Sequence, residues 1–292
     1  MRTQEAQDES TTLNDENSGY AKLLWDGRVA LLKLLGGLSK GYLVLDDVVI
    51  VRWQRGRLDL PKIKDSSTNR YVRGFGVVVL RWTNGSIRLP LAFRVCWGDE
   101  GKEGSKQVMA MELLLWAVEQ GFKPEFVLFD AWYASKELLR KIHELGWSFV
   151  TRLRKNRLLD GRQLRHHESP FWVKEGKLKG IGFLVKVLRR GNFYLCTNAV
   201  KLSRHQMLET YAIRSNIEEA VRGLQQELGW QGHRHHKRDK LTAHLALGFL
   251  CYALIEFHRT RMKQPVTFYQ YRRKLISGAI TPDLSPLAQL AG

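Results

Sequence analysis

The chain has 292 residues, 44% of them hydrophobic, enough to bury one large core or two modest ones. Against 29 Asp and Glu stand 47 Lys and Arg, a net charge of +18 that points to a polyanionic partner, nucleic acid ahead of a membrane surface. The sequence shows no long uncharged apolar run and no basic-then-apolar leader, so a membrane partner is set aside and a cytoplasmic, nucleoid-associated protein is expected.

Residues 1–20 hold one Arg and five acidic residues, a charge of −4, and are expected to form a solvated, disordered leader. Residues 21–40 hold a short apolar helical segment ending at Gly36-Gly37. The first strand is Tyr42–Val51, YLVLDDVVIV, almost wholly β-branched or aliphatic. Residues 73–82 and 87–96 are two further strands, joined by Thr83-Asn84-Gly85-Ser86, and Asn-Gly between such runs is a strong hairpin signal. A helix follows over 106–120, a short buried strand over 125–130, a helix over 135–145 and a strand over 147–153. From residue 154 to 200 the pattern changes to short, basic, β-like pieces, which read as an insertion. A long helix over 241–261 is apolar enough to be core, and residues 263–292 form a C-terminal tail. The expected organisation is thus a mixed α/β core in two parts, 41–153 and 201–262, interrupted by the 154–200 insertion.

Between the insertion and the last helix lies YAIRSNIEEAVRGLQQELGW, residues 211–230. At about 100° per residue, Tyr211, Arg214, Glu218, Arg222 and Gln225 fall in one sector of a helix. Ile213, Ile217, Ala220, Val221, Leu224 and Leu228 occupy the adjoining, packed sector. Glu218 taken alone is a solvent-facing glutamate paired with Arg214 or Arg222. Asp46 and Asp47 interrupt the most hydrophobic strand of the protein, where an unpaired buried carboxylate costs several kcal/mol. Asp130 closes the apolar run 126–129 and opens DAWYAS, at the carboxyl end of a strand, where α/β sheets place ligand sites. Blander readings exist: Asp130 as a helix cap, and the Asp-Asp pair as an edge-strand feature. Two strand aspartates and a helix glutamate in a chain of charge +18 favour a convergent site. Carboxylates gathered in a cleft repel, and divalent cations with a taste for oxygen, Mg²⁺ or Mn²⁺, relieve that repulsion. Two such ions suit phosphodiester chemistry.

These residues resemble a known family. Tyr211, Arg214 and Glu218, spaced Tyr-x2-Arg-x3-Glu, look like the glutamate motif of bacterial insertion-sequence transposases of the DDE type. There the motif ends in a lysine after six intervening residues. DAWYAS resembles the family's second-aspartate motif, and LVLDD its first, usually Asp-Asp-Thr or Asp-Glu-Thr. NRYVRGFGVVVLRW, RLPLAFRV and LGW…HRHHKRDKLTAHLALGFL also read like this family, so the resemblance spans most of the chain. It implies a ribonuclease-H-like mixed sheet flanked by helices, with the β-rich insertion before the glutamate helix. It also implies Asp46, Asp130 and Glu218 as catalytic ligands of two Mg²⁺ or Mn²⁺ ions, Asp46 being preferred to Asp47 by its place in the motif. Tyr211 and Arg214 would contact DNA, with Arg222 standing in for the motif's lysine, which here is Gln225. The Thr position is Val48, and the region before the first aspartate is shorter than the family's helical DNA-binding N-terminus. The expected activity is metal-dependent hydrolysis and strand transfer at transposon ends, on double-stranded DNA at ends and target, by a homodimer assembled on that DNA. The alternative is an inactive, transposase-derived DNA-binding protein. A metal-free hydrolase working through paired carboxylates explains neither the charge nor the Arg-Tyr flanks.

Three further groups bear on this reading. Basic residues cluster between the first two strands (Arg52, Arg55, Arg57, Lys62, Lys64, Arg70, Arg73) and after residue 150 (Arg152, Arg154, Lys155, Arg157, Arg162, Arg165), as a phosphate path would require. HRHHKR at 233–238 reads as a basic loop rather than a metal cluster. Trp132 and Trp230 are available to stack on an unpaired base, with core packing as the default. Cys96, Cys196 and Cys251 match no zinc spacing and read as reduced cysteines in apolar settings.

Overall fold

The computed structural model of the protein describes residues 33, 40–51, 62–65, 70–98, 105–167, 169–215, 223–230, 238–263 and 265–281. Tyr42–Val51 (β1) is the strand about which the domain is organised. It pairs antiparallel with Arg70–Thr83 (β3) and parallel with Phe126–Phe129 (β5), so it is central, not an edge. Lys62–Asp65 (β2) and Arg88–Cys96 (β4) both pair with β3, and β5 pairs parallel with Phe149–Arg152 (β6). Leu158–Leu159 (β7) and Arg162–Gln163 (β8) form a small separate hairpin. Phe171–Lys177 (β9), Leu184–Arg190 (β10) and Phe193–Thr197 (β11) complete a nine-stranded sheet in the order β2-β3-β1-β5-β6-β11-β10-β9, with β4 also on β3. This is a ribonuclease-H-like mixed sheet. The stretch 154–200 is joined to it rather than set apart, because β11 pairs antiparallel with β6 and carries β10 and β9 outward on the same sheet.

Local chemistry explains the joints. At the β3–β4 turn, the Asn84 Oδ1 accepts from the backbone N–H groups of Ser86 and Ile87, and Gly85 takes φ +95°, a left-handed conformation that suits glycine. Pro90 has no N–H to give to a ladder, and it sits where the register slips between Leu80 and Arg81.

Helices cover both faces. Lys106–Glu119 (α1), capped by the Ser105 side chain, and Lys136–Glu144 (α2), capped by Ser135, pack over Leu43, Leu45, Val78 and Leu80. On the other face, Arg204–Ser215 (α3) lies over Val44, Leu128 and Val150. Arg238–Arg261 (α4) covers Val48, Ile50, Val77 and Val79. By length and composition alone α4 is apolar enough to cross a membrane, contrary to the reading of the sequence as free of such a run. Here it is a core helix, with Leu241, Leu245, Phe249, Tyr252 and Ala253 buried.

The region expected as a tail contains a helix, Phe268–Ile276 (α5). It opens on a capping box between Thr267 and Gln270 and stacks Phe268 on Tyr252 at 4.2 Å. Cys196 is buried and burial pushes its thiol up, Cys96 is half-buried, and Cys251 is exposed, so an apolar setting does not hold for all three.

Candidate functional site

Parallel register brings two of the predicted carboxylates together. Val44 on β1 faces Leu128 on β5, so two residues further on Asp46 comes level with Asp130, just beyond the carboxyl end of β5. Alternation puts Asp46 on the face of Val44 and Val48, under α3 and α4, and Asp47 on the opposite face with Leu43 and Leu45.

Asp46 lies deep. Its Oδ1 accepts from its neighbour's N–H at 3.0 Å and from the Arg214 guanidinium of α3 at 3.2 Å. Burial raises its carboxyl above the usual value, against the opposing pull of Arg214 and Arg81. Arg81, reached from β3 on the same face, is 1% exposed, and burial pulls its guanidinium down to about 10 although Asp46 works to hold it up. Two arginines therefore do not fully compensate one carboxylate in this setting.

Asp130 is held differently. Its Oδ1 accepts from the N–H groups of Trp132 at 2.8 Å and Tyr133 at 3.3 Å, and its carbonyl accepts from the Thr151 hydroxyl at 3.2 Å. It thus fixes the turn ahead of α2, while the helix itself is capped by Ser135. The cap expected at Asp130 therefore belongs to Ser135, and Asp130 braces the turn while holding its place beside Asp46.

Tyr211 and Arg214, one turn apart on α3, complete the described cluster. Burial opposes the Arg214 charge, and Asp46, Tyr211 and Asp130 outweigh it and raise the guanidinium above its ordinary value. The Tyr211 hydroxyl and the Arg214 Nε are buried with no hydrogen-bond partner among the described residues. A hydroxyl and a guanidinium close to two carboxylates are groups that suit a phosphate oxygen. Glu218 and Arg222 lie outside the described residues, as does HRHHK at 233–237. Gln225 falls in a π turn, Gly223–Glu227, rather than in an unbroken α-helix from 211 to 230, and α3 begins seven residues before Tyr211.

Asp47 has its own partners on the opposite face: the Lys106 ammonium at 2.5 Å and the Tyr133 hydroxyl at 3.1 Å. This bracket ties β1 to the start of α1 and to the turn carrying Asp130, and so sets the spacing of Asp130 from Asp46. Because Tyr133 is fully buried, Tyr133→Phe is expected to lose about 1.5–3 kcal/mol in urea denaturation, the worth of a hydrogen bond to a charged group. A loss under 0.5 kcal/mol would remove the bracket from this account.

Beside Asp130 opens a polar groove of about 250 Å³, lined by Gln107, Trp132, Ser135, Arg154, Asn156 and Arg157 among others. Trp132 stands at its rim, 39% exposed, with the Lys106 ammonium 5.8 Å from its ring. Trp230 is fully buried against Phe249 and is closed to any ligand.

Arg81 and Lys106 were not singled out from the sequence, whereas Tyr133 is the tyrosine of the second-aspartate motif, Asp-x-x-Tyr. One signal was available: Arg81 falls in phase with Val77 and Val79 of a buried strand, where a charge demands a partner.

Among the described residues no three His, Cys, Asp or Glu side chains gather as a metal set. Asp46 and Asp130 still fit a divalent cation, since both offer hard oxygen atoms and Asp46 holds a buried charge that its arginines leave undercompensated.

No curated protein matches the chain in sequence. In structure it is similar to a piggyBac transposase in a synaptic complex with hairpin DNA, at TM-score 0.54 and 10% identity over 81% of this chain and 52% of that one. The chain thus spans about half the length of that transposase. A second likeness, to the NurA nuclease from Sulfolobus solfataricus, has TM-score 0.30 and 11% identity over 72% of this chain and 85% of that one, too low to bear on the fold. Residues 50–254 match the family described as Transposase DDE domain, a span that holds Asp130, Tyr211, Arg214 and Glu218 and begins just after Asp46 and Asp47. With well over half of its length matched, this chain belongs to the DDE transposase family.

Proposed function

We propose that the protein hydrolyses a DNA phosphodiester at a transposon end and then joins the freed end to a second DNA site. The observation that supports it is the level placement of Asp46 and Asp130 on adjacent parallel strands, with Arg214 hydrogen-bonded to Asp46 and Tyr211 one turn away on the same helix. In the first step water attacks phosphorus, the bond to the 3′-oxygen breaks, and that oxygen leaves with a proton as a 3′-hydroxyl. In the second, the hydroxyl attacks another phosphodiester and displaces its 3′-oxygen in turn. Tyr211 and Arg214 hold the phosphate by donating to its non-bridging oxygens. Asp46, Asp130 and Glu218 would hold two Mg²⁺ or Mn²⁺ ions, which when bound supply positive charge at the attacking and leaving oxygens. Arg222 would add a phosphate contact. The charge of +18 supports double-stranded DNA as the partner and the nucleoid as the place of work, and two transposon ends imply two copies of the chain on the DNA.

Supercoiled plasmid is the test. Nicked product is expected with Mg²⁺ or Mn²⁺ and none in excess EDTA. Nicking that persists in EDTA removes the metal-dependent reading. A second reading, a DNA-binding relative that does not cut, draws on Gln225 in place of the motif's lysine and on the Arg214 guanidinium already paired with Asp46. It gives salt-sensitive retention of the plasmid with no nicking under any metal.

A further inference from the structure

On the face of the sheet that carries Asp46, the strands beyond β6 present a row of side chains leading away from the carboxylates. The register fixes which residues share it. Arg152 on β6 faces Leu195 on β11, Leu195 faces Leu188 on β10, and Leu188 faces Val173 on β9. Two residues along, Phe193, Arg190 and Phe171 are cross-strand neighbours on that same face. Leu188 and Leu195, in the middle of the first row, are buried with Met207 of α3, while Arg152 and Val173 at its two ends are exposed. In the second row Arg190 is exposed, Phe171 is 58% exposed and Phe193 is half-buried. The Arg152 guanidinium lies 4.9 Å from the Phe193 ring, and Phe193 meets Tyr211 edge-on at 5.9 Å. The row therefore starts at Tyr211, beside the carboxylates, and alternates guanidinium and aromatic ring out to the edge strand. It crosses three strand spacings, about 14 Å.

We propose that this row, Arg152, Phe193, Arg190 and Phe171, is a platform for an unpaired DNA strand. One strand of DNA offers the alternation the row matches, with anionic phosphates for guanidinium groups and flat base faces for rings. A duplex hides its base faces in the stack, so it can use only half of these contacts. Charge points the same way: the single acidic residue of β9, β10 and β11, Glu175, is paired with Lys186 at 3.2 Å. The proposal rests on the reading of Asp46 and Asp130 as the place where DNA is cut, since a cut end is where an unpaired strand arises.

The test is fluorescence anisotropy of the full chain in EDTA, with a labelled oligothymidylate and a mixed-sequence duplex of the same length, across a salt series. Phe171→Ala is expected to weaken single-strand binding about tenfold, within the range of one lost base–aromatic stack, and to change duplex binding less than twofold. Phe171→Trp is expected to restore it. Arg190→Ala is expected to weaken single-strand binding and flatten its salt dependence. Equal losses on both probes, or no loss on either, overturn the platform. So does an apolar edge that serves a second copy of the chain, which would show as a dimer in sedimentation, lost in Phe171→Ala with single-strand binding intact. The absence of metal separates the two readings. Single-strand binding that depends on Phe171 in a chain that never nicks defeats the catalytic reading alone. Nicking with Phe171 irrelevant to binding defeats the platform alone.

Discussion

Asp46→Asn and Asp130→Ala are each expected to lower plasmid nicking by at least about 10²–10³-fold, the loss seen when one oriented charge contact to a transition state is removed. Glu218→Ala joins them by its place in the Tyr-x2-Arg-x3-Glu motif. Asp46 is also expected to make stability depend on pH. Its carboxyl is raised by burial, so the folded chain binds that proton more tightly than the unfolded chain does. Stability then falls as pH rises from the ordinary value of 3.8 through the higher folded value, and stays lowered at neutral pH. Asp46→Asn has no proton to lose. It should remove this slope. Added Mg²⁺ should raise the melting temperature of the parent and not of Asp46→Asn, because a ligand stabilises only the fold that binds it. A pH slope that persists in Asp46→Asn would place its source elsewhere, and undiminished nicking by Asp130→Ala would sink the assignment.

The cost of placing a carboxylate in an apolar strand is what makes Asp46 stand out in the sequence. A carboxylate inside YLVLDDVVIV has no cheap explanation, and the alternation of a strand guarantees that Asp46 and Asp47 do not share a face. What the sequence could not say is what each face held. Lys106 and Tyr133 come to Asp47 from 59 and 86 residues away, and Arg214 comes to Asp46 from 168. Contacts of that span follow from topology, which no local pattern encodes. The hairpin and the helices over 106–120 and 135–145 were legible because their signals are local: Asn84-Gly85, Ser105 and Ser135 each satisfy backbone donors within three residues.

The insertion was harder to place. Its strands read as β from composition, but pairing of β11 with β6 is a long-range register, so an extension of the sheet looked the same as a separate subdomain. The bounds of the edge strand β9 were not legible, because FWVKEGK is mostly exposed and has no apolar alternation to mark them. α5 was missed although its signal was present: Thr267 and Gln270 form a capping box three residues apart, ahead of Phe268 and Tyr271.

Trp230→Ala is expected to cost about 3–5 kcal/mol in denaturant unfolding, the range for emptying a large aromatic site in a core. The indole is fully buried, stacked on Phe249 at 5.0 Å and 16°, with Phe93 edge-on at 6.4 Å. It reaches α4 only because residue 248 is glycine: a Cβ there would stand 2.4 Å from the indole Nε1. Gly248→Leu should therefore approach the loss of Trp230→Ala from the opposite direction, by overfilling the site that the other empties. The two together are expected to cost less than their sum, since each removes the contact the other depends on. The indole anchors the stretch after the π turn Gly223–Glu227 to α4, and Glu218 lies in sequence between Ser215 and Gly223. Trp230→Ala should accordingly lose nicking activity at temperatures where circular dichroism still shows the fold intact, and Trp230→Phe should regain most of it. A loss below about 1 kcal/mol, typical of a surface substitution, would instead show the ring free to leave the core and available to a base.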